Sequence, residues 1–182
     1  AIEDIPPQVN RVEATAIRDD RLYLYSQPTG GIFYFSSAMG IESIKPENLP
    51  LLPLFCFAVT RMGTATRDYV ELARYLDRYT GGFGLSVQAR TRFDADGQSL
   101  PMITMGGKCL DRNREPLFAI ISELLHQIRF SDLDQLNRIL GEFQAMQEGA
   151  IVHNGHRLAM SLASRRMTPS AHLNEIWHGV HQ

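Results

Sequence analysis

The side chains with the most chemical potential lie near the end of the chain. His172, Glu175 and His178 form an H-x-x-E-x-x-H run. Imidazole and carboxylate are zinc ligands, but steps of three spread these groups over about 120° of a helix. Neither the inverted motif H-x-x-E-H nor the ordinary H-E-x-x-H has that spacing, so the three read as surface polar residues on a short helix. His153 and His156 flank Asn154-Gly155. As chemistry they would be a ligand pair. As structure they mark a helix break, with imidazoles bonding to freed carbonyls, and that reading is preferred. Cys56 would need a base or a positive field to become a nucleophile, yet it sits between Phe55 and Phe57. Cys109 follows Lys108, but strand alternation sends the two to opposite faces. Both cysteines read as small core residues of a reducing compartment. Gly81-Gly82-Phe83-Gly84 and Gly106-Gly107 look like phosphate-loop pieces, without the Lys-Ser/Thr partner or the dinucleotide spacing. Turns and close packing account for them. No catalytic or metal-binding residue is therefore assigned, and the substrate-binding positions are left open.

The elements around these residues alternate between strand and helix. Residues 1–20, with Pro6-Pro7 and mixed charge, read as a linker, and 21–182 as one domain. Leu22 to Tyr25 and Gly31 to Ala38 are strand-like, and the Gln27–Gly31 turn between them predicts a hairpin. Leu51 to Met62 is apolar on nearly every side, which predicts a buried helix. Arg67 to Tyr79 is amphipathic, with Thr66 or Asp68 as its N-cap and Gly81-Gly82 at its end. Strands follow at Phe83–Phe93 and Leu100–Leu110, joined by a turn at Asp94-Ala95-Asp96-Gly97. Arg114 to Ile128 predicts a helix with Leu117, Ile120, Ile121, Leu124, Leu125 and Ile128 inward. Ser131 would cap a long helix from Asp132, interrupted near His153–His156 and stopped by Thr168-Pro169. Ser170 to Trp177 closes the chain as a last helix. The order suggests an α+β fold, an antiparallel-rich sheet covered by helices on one face.

Composition excludes some classes of function. The chain has 182 residues, 44% hydrophobic and 21% charged, with net charge −2. Such a charge gives no electrostatic footing for nucleic acid, and Arg165-Arg166 is the only adjacent basic pair. The longest apolar stretch, Leu49 to Val59, contains Pro50 and Pro53 and is too short to span a membrane. The opening residues lack the basic and apolar regions of a signal peptide. They read like an interdomain linker, so the chain is expected to be an internal piece of a longer one.

Five pieces in order carry a resemblance: Ile32–Met39, Leu49–Thr64, Thr80-Gly81-Gly82, Gly106–Asn113 and Gly155–Met160. Together they resemble the pitrilysin/insulinase clan of zinc metallopeptidases. Within it they are similar to the presequence-protease type, at the peptidase-associated region that begins the second half of the long chain. The resemblance implies a half-domain like those of LuxS and the mitochondrial processing peptidase, third of four such units around a closed peptide chamber. In an active unit the helix before the small Gly-containing turn carries H-x-x-E-H. Counted back from Gly63-Thr64, those positions fall on Leu54, Phe55, Cys56, Phe57 and Ala58. None of the ligand positions offers nitrogen, oxygen or thiolate to zinc, and Phe57 cannot act as the base.

Two functions of different class follow. The first is a non-catalytic structural domain of a zinc metalloendopeptidase that degrades unfolded peptides. Zinc would lie elsewhere in the longer chain, the partners would be its other units, and this piece alone would be inactive. The second is a domain of an inactive homologue serving as a binding or scaffold subunit. An H-x-x-E-H several hundred residues upstream separates them. A stable homodimer that binds a partner unaided would mark a third, an independent interaction module. Apolar surface left bare in an excised piece would favour self-association. The implied compartment is the cytoplasm for a bacterial source and an organelle matrix for a eukaryotic one.

Overall fold

The computed structural model describes residues 13–17, 21–92 and 97–180. Contacts divide it into one unit ending at Ile32 and another beginning at Phe33. In the first, β1 (Ala14–Ile17) pairs antiparallel with β2 (Leu22–Tyr25), from Ala14 opposite Tyr25 to Ile17 opposite Leu22. A strand thus forms inside the segment read as linker. The rest of that segment, 1–12 and 18–20, lies outside the described residues.

The expected hairpin between Leu22–Tyr25 and Gly31–Ala38 does not form. Gly30 and Gly31 do take positive φ, +62° and +83°, as a turn requires. However, β3 (Ile32–Gly40) is hydrogen-bonded to β5 (Ser99–Leu110) instead of β2. Burial explains the choice. Phe33 and Phe35 alternate inward from β3 onto Met105, Cys109, Leu117 and Ile121, an arrangement that one register alone permits. A hairpin with the exposed β2 offers no such burial.

The sheet order is β3-β5-β4, with β4 spanning Phe83–Thr91. β4 and β5 run antiparallel, from Phe83 opposite Gly107 to Thr91 opposite Ser99. Side chains alternate across them. Val87 and Ile103 enter the core under helices. Ser86 and Thr104 meet on the open face, their hydroxyls 2.8 Å apart. One apolar and one wet face is the usual economy of an antiparallel sheet. The turn expected at Asp94–Asp96 lies outside the described residues.

Helix α1 (Leu52–Val59) follows a 3-10 turn at Pro46–Leu51. It is shorter than the Leu51–Met62 expected, because the chain tightens before it and ends at Thr60. Its apolar sides contact three core clusters: Leu52 and Cys56 with the sheet and Trp177, Val59 with Leu72 and Ile120, Ala58 with Ile139. Helix α2 (Tyr69–Tyr79) opens on a capping box: Asp68 accepts from Glu71 N at 2.8 Å and Glu71 accepts from Asp68 N at 3.2 Å.

Helix α3 (Arg114–Gln127) buries Leu117, Ile120, Ile121 and Leu124. Ile128 is partly buried, and Leu125, expected inward, is exposed. Helix α4 (Leu133–Ser164) is capped by Asp132, one residue after the expected Ser131. Its backbone breaks at Asn154, φ −121° and ψ 21°, where the sequence marks an interruption. Helix α5 (Pro169–His178) is capped by Thr168, which accepts from Ala171 N. No helix among the described residues is long and apolar enough to cross a membrane.

Candidate functional site

The helix that would carry an inverted zinc motif is α1, and its side chains can be followed one by one. By that resemblance Leu54, Phe57 and Ala58 would stand at the ligand, base and ligand positions. All three pack against a cluster of Ala58, Met62 and Ile139, with Leu136 and Ile128 at its margin. The Phe57 and Phe143 rings lie 5.4 Å apart. The Arg61 guanidinium lies over the Phe57 ring, 3.7 Å from its centroid, and donates to the Phe57 carbonyl at 2.8 Å. Zinc requires imidazole, carboxylate or thiolate, and these residues do not fit it. Cys56, beside them, is the one soft donor on α1. Burial pushes its thiol up from 9.0 to about 11, which disfavours thiolate.

That shift has a measurable consequence. The folded chain holds the Cys56 proton where an unfolded chain releases it. This contribution is intact below pH 9.0 and stability falls as pH rises toward 11. Iodoacetamide at about pH 8 should therefore label Cys56 slowly when folded and quickly in denaturant. Labelling of the folded chain at the free-thiol rate would overturn this. Burial also raises Cys109, opposed by Arg114 and reinforced by Asp111.

The histidine and glutamate run does not converge. His172 and His178 are exposed as expected, whereas Glu175, expected at the surface, is buried because Ser161 and Val180 take its oxygens. Glu175 accepts from Val180 N at 3.1 Å and from the Ser161 hydroxyl of α4. His178 donates from Nε2 to the Val87 carbonyl at 2.9 Å. The cluster ties α5 to α4 and β4. His153 and His156 are exposed on α4. Among the described residues, no group of three or more His, Cys, Asp or Glu could hold a metal ion.

The glycines serve the backbone. Gly82 has φ +132°, and Gly81 N donates to Lys108 O at 2.7 Å. A Cβ on Gly107 would meet the Phe83 ring at 2.9 Å.

Two concave regions among the described residues border β4. One is the open sheet face, a depression of about 520 Å³ floored by Ser36, Ser86, Gln88 and Thr104 among others. The other is a groove of about 360 Å³ between α1, α4 and the first half of β4. A fold whose motif helix is packed with apolar side chains invites comparison with known proteins. The family described as Peptidase M-16C associated matches residues 1–182, the whole chain.

The chain belongs to this peptidase-associated family.

Its relatives agree. It is 35% identical over 162 residues to "Presequence protease, mitochondrial" of Danio rerio, covering 86% of this chain and 15% of that protein. It is 30% identical over 188 residues to the Xenopus laevis protein of the same name, covering 100% and 18%. "Presequence protease 1, chloroplastic/mitochondrial" of Arabidopsis thaliana is 26% identical over 178 residues, covering 97% and 16%. The chain thus spans less than a fifth of these relatives' length.

One cluster in this peptidase-associated chain has no sequence signal. Glu123 of α3 accepts from the Thr64 hydroxyl at 2.5 Å and the Thr66 hydroxyl at 2.6 Å, and it pairs with Arg67. Its partners lie 56 to 59 residues away in the Gly63–Asp68 turn. Backbone bonds add to the hold, Ala65 N to Gln127 O at 2.9 Å and Arg129 N to Gly63 O at 3.0 Å. Glu123→Ala would strand Arg67 and two hydroxyls. The expected loss is about 2–3 kcal/mol by urea unfolding. Glu123→Gln should lose less, since it still accepts. Equal stability of Glu123→Ala and the parent would rule out this clamp.

Proposed function

We propose that residues 1–182 form a non-catalytic structural region of a longer, presequence-protease-type zinc metalloendopeptidase. The observation that carries this reading is the apolar fill at Leu54, Phe57 and Ala58 in a chain of the peptidase-associated family. The fold is then a half-domain of the LuxS and processing-peptidase type, and its scaffold helix has kept its place without its ligands. In this reading zinc would be held elsewhere in the longer chain and would supply the activation of water for peptide hydrolysis. This region supplies chamber wall and support, with no catalytic residue of its own. The polar sheet face of Ser36, Ser86, Gln88 and Thr104 suits a wetted wall.

Substrates in this reading are unfolded peptides, and partners are the other units of the same polypeptide. Two relatives' names point to mitochondria or plastids, so an organelle matrix is proposed for a eukaryotic source and the cytoplasm for a bacterial one.

The test begins by reading the frame upstream of Ala1 for H-x-x-E-H. The polypeptide is then assayed for hydrolysis of an unstructured peptide, with and without chelator. Hydrolysis lost on chelation, with zinc bound upstream, supports the proposal. A frame without the motif, binding peptide and not cleaving it, replaces the proposal with the scaffold reading. Zinc-dependent cleavage by residues 1–182 alone would refute it outright.

A further inference from the structure

β4 is an edge strand among the described residues. Its two backbone edges can be told apart by parity. Gly82 O accepts from Lys108 N at 3.0 Å, and Arg92 N donates to Gln98 O at 2.9 Å. Even-numbered residues therefore point their backbone groups at β5, and odd-numbered ones point them outward. The outward groups are treated unequally along the strand. Asn174 of α5 takes both groups of Ala89, accepting from its N–H at 3.0 Å and donating to its carbonyl at 2.9 Å. His178 takes the Val87 carbonyl. Here side chains of a helix imitate a neighbouring strand and close the edge.

The outward groups of Phe83 and Leu85 meet no hydrogen-bond partner among the described residues. They face the groove between α1 and α4, lined by Phe57, Arg61, Phe143 and Met146 with β4 itself. At about 3.3 Å per residue, Phe83 to Val87 offers an open ladder about 13 Å long. Unspent donors and acceptors beside an apolar groove match an added strand, which supplies main-chain bonds and alternate side chains together. Charge narrows the occupant. The groove lining holds Arg61 and His178 and no acidic residue.

We propose that the outer edge of β4 from Phe83 to Val87 binds an extended peptide strand, apolar where it faces α1 and α4 and carrying a carboxylate beside Arg61. Asn174 and His178 set the end of the site. The site requires no catalytic group elsewhere, so it stands independently of the peptidase reading.

The test uses the polypeptide that contains residues 1–182, in chelator, with short fluorescent peptides of alternating apolar pattern. Three peptides differ at one position, Glu, Gln or Lys. Anisotropy should rank Glu tightest and Lys at least tenfold weaker, and Arg61→Glu should reverse that order. N-methylation at alternate backbone positions is the second arm. Only one edge of the peptide pairs, so one set should weaken binding at least tenfold and the other leave it unchanged. Leu85→Pro removes an outward N–H without touching the β5 ladder and should also abolish binding. Should that variant misfold, the N-methylated peptides decide on the unaltered protein. No binding, equal binding of both N-methylated sets, or an unchanged order in Arg61→Glu would each overturn the proposal.

Discussion

Trp177→Ala should cost about 3–5 kcal/mol, enough to threaten the fold of an ordinary domain. Trp177 is fully buried and touches the cluster of Leu52, Cys56, Val87, Ala89 and Ile103. Its indole N–H donates to the Leu49 carbonyl at 2.9 Å, joining α5 to the turn before α1. Alanine removes the ring, leaves a cavity between helix and sheet, and leaves the Leu49 carbonyl with its backbone bond from Leu52 N but without the indole. At about 2–4 °C per kcal/mol, the melting temperature should fall by roughly 6–20 °C. Trp177→Phe keeps an aromatic ring and loses the hydrogen bond, so it should cost less. Circular dichroism in urea is the measurement, because Trp177 is the only tryptophan and its fluorescence disappears with it. A loss under about 1 kcal/mol would mean that α5 is not part of the core.

Much of the local chemistry was legible in the sequence, although the short-range β1–β2 pair and the Asp132 cap were not. The apolar stretch became α1, which buries five of its eight residues and leaves Phe55 exposed, Asp68, one of the two expected caps, became the N-cap of α2, and Asn154 broke α4. The Lys108–Cys109 alternation put Cys109 in the core. What else stayed hidden depends on distant partners. β3 pairs with a strand about seventy residues later, because burial of Phe33 and Phe35 outweighs the nearby turn. Glu123 looks like a surface acid of α3 until the Gly63–Asp68 turn folds onto it. Glu175 reads as a surface polar residue of a short helix until Ser161 and Val180 claim its oxygens. The same holds for the β4 edge: Asn174 has no motif, yet it closes Ala89 from eighty-five residues away.

Grafting the inverted motif back onto α1, with Leu54→His, Phe57→Glu and Ala58→His together, should destabilise the chain and yield no zinc peptidase. Ala58 is 2% exposed and lies against Met62 and Ile139. An imidazole there overpacks the cluster at about 1–3 kcal/mol and buries an unpaired polar group at about 1–3 kcal/mol more. Phe57→Glu removes the ring contact with Phe143 and the Arg61 stacking, and it points a carboxylate at the apolar side of α4. The graft supplies two histidines, but a zinc site needs a third protein ligand. The side chains that face this cluster from α4 are Leu136 and Ile139. The expected sum is a loss of about 4 kcal/mol or more, with zinc sub-stoichiometric after dialysis. Ala58→His alone should account for about half of it, since it carries the steric term. Calorimetry and metal analysis of the parent, the single and the triple variant check this. A triple variant as stable as the parent and holding one zinc would show a site poised for metal, and the apolar fill of α1 would no longer support the proposed non-catalytic role.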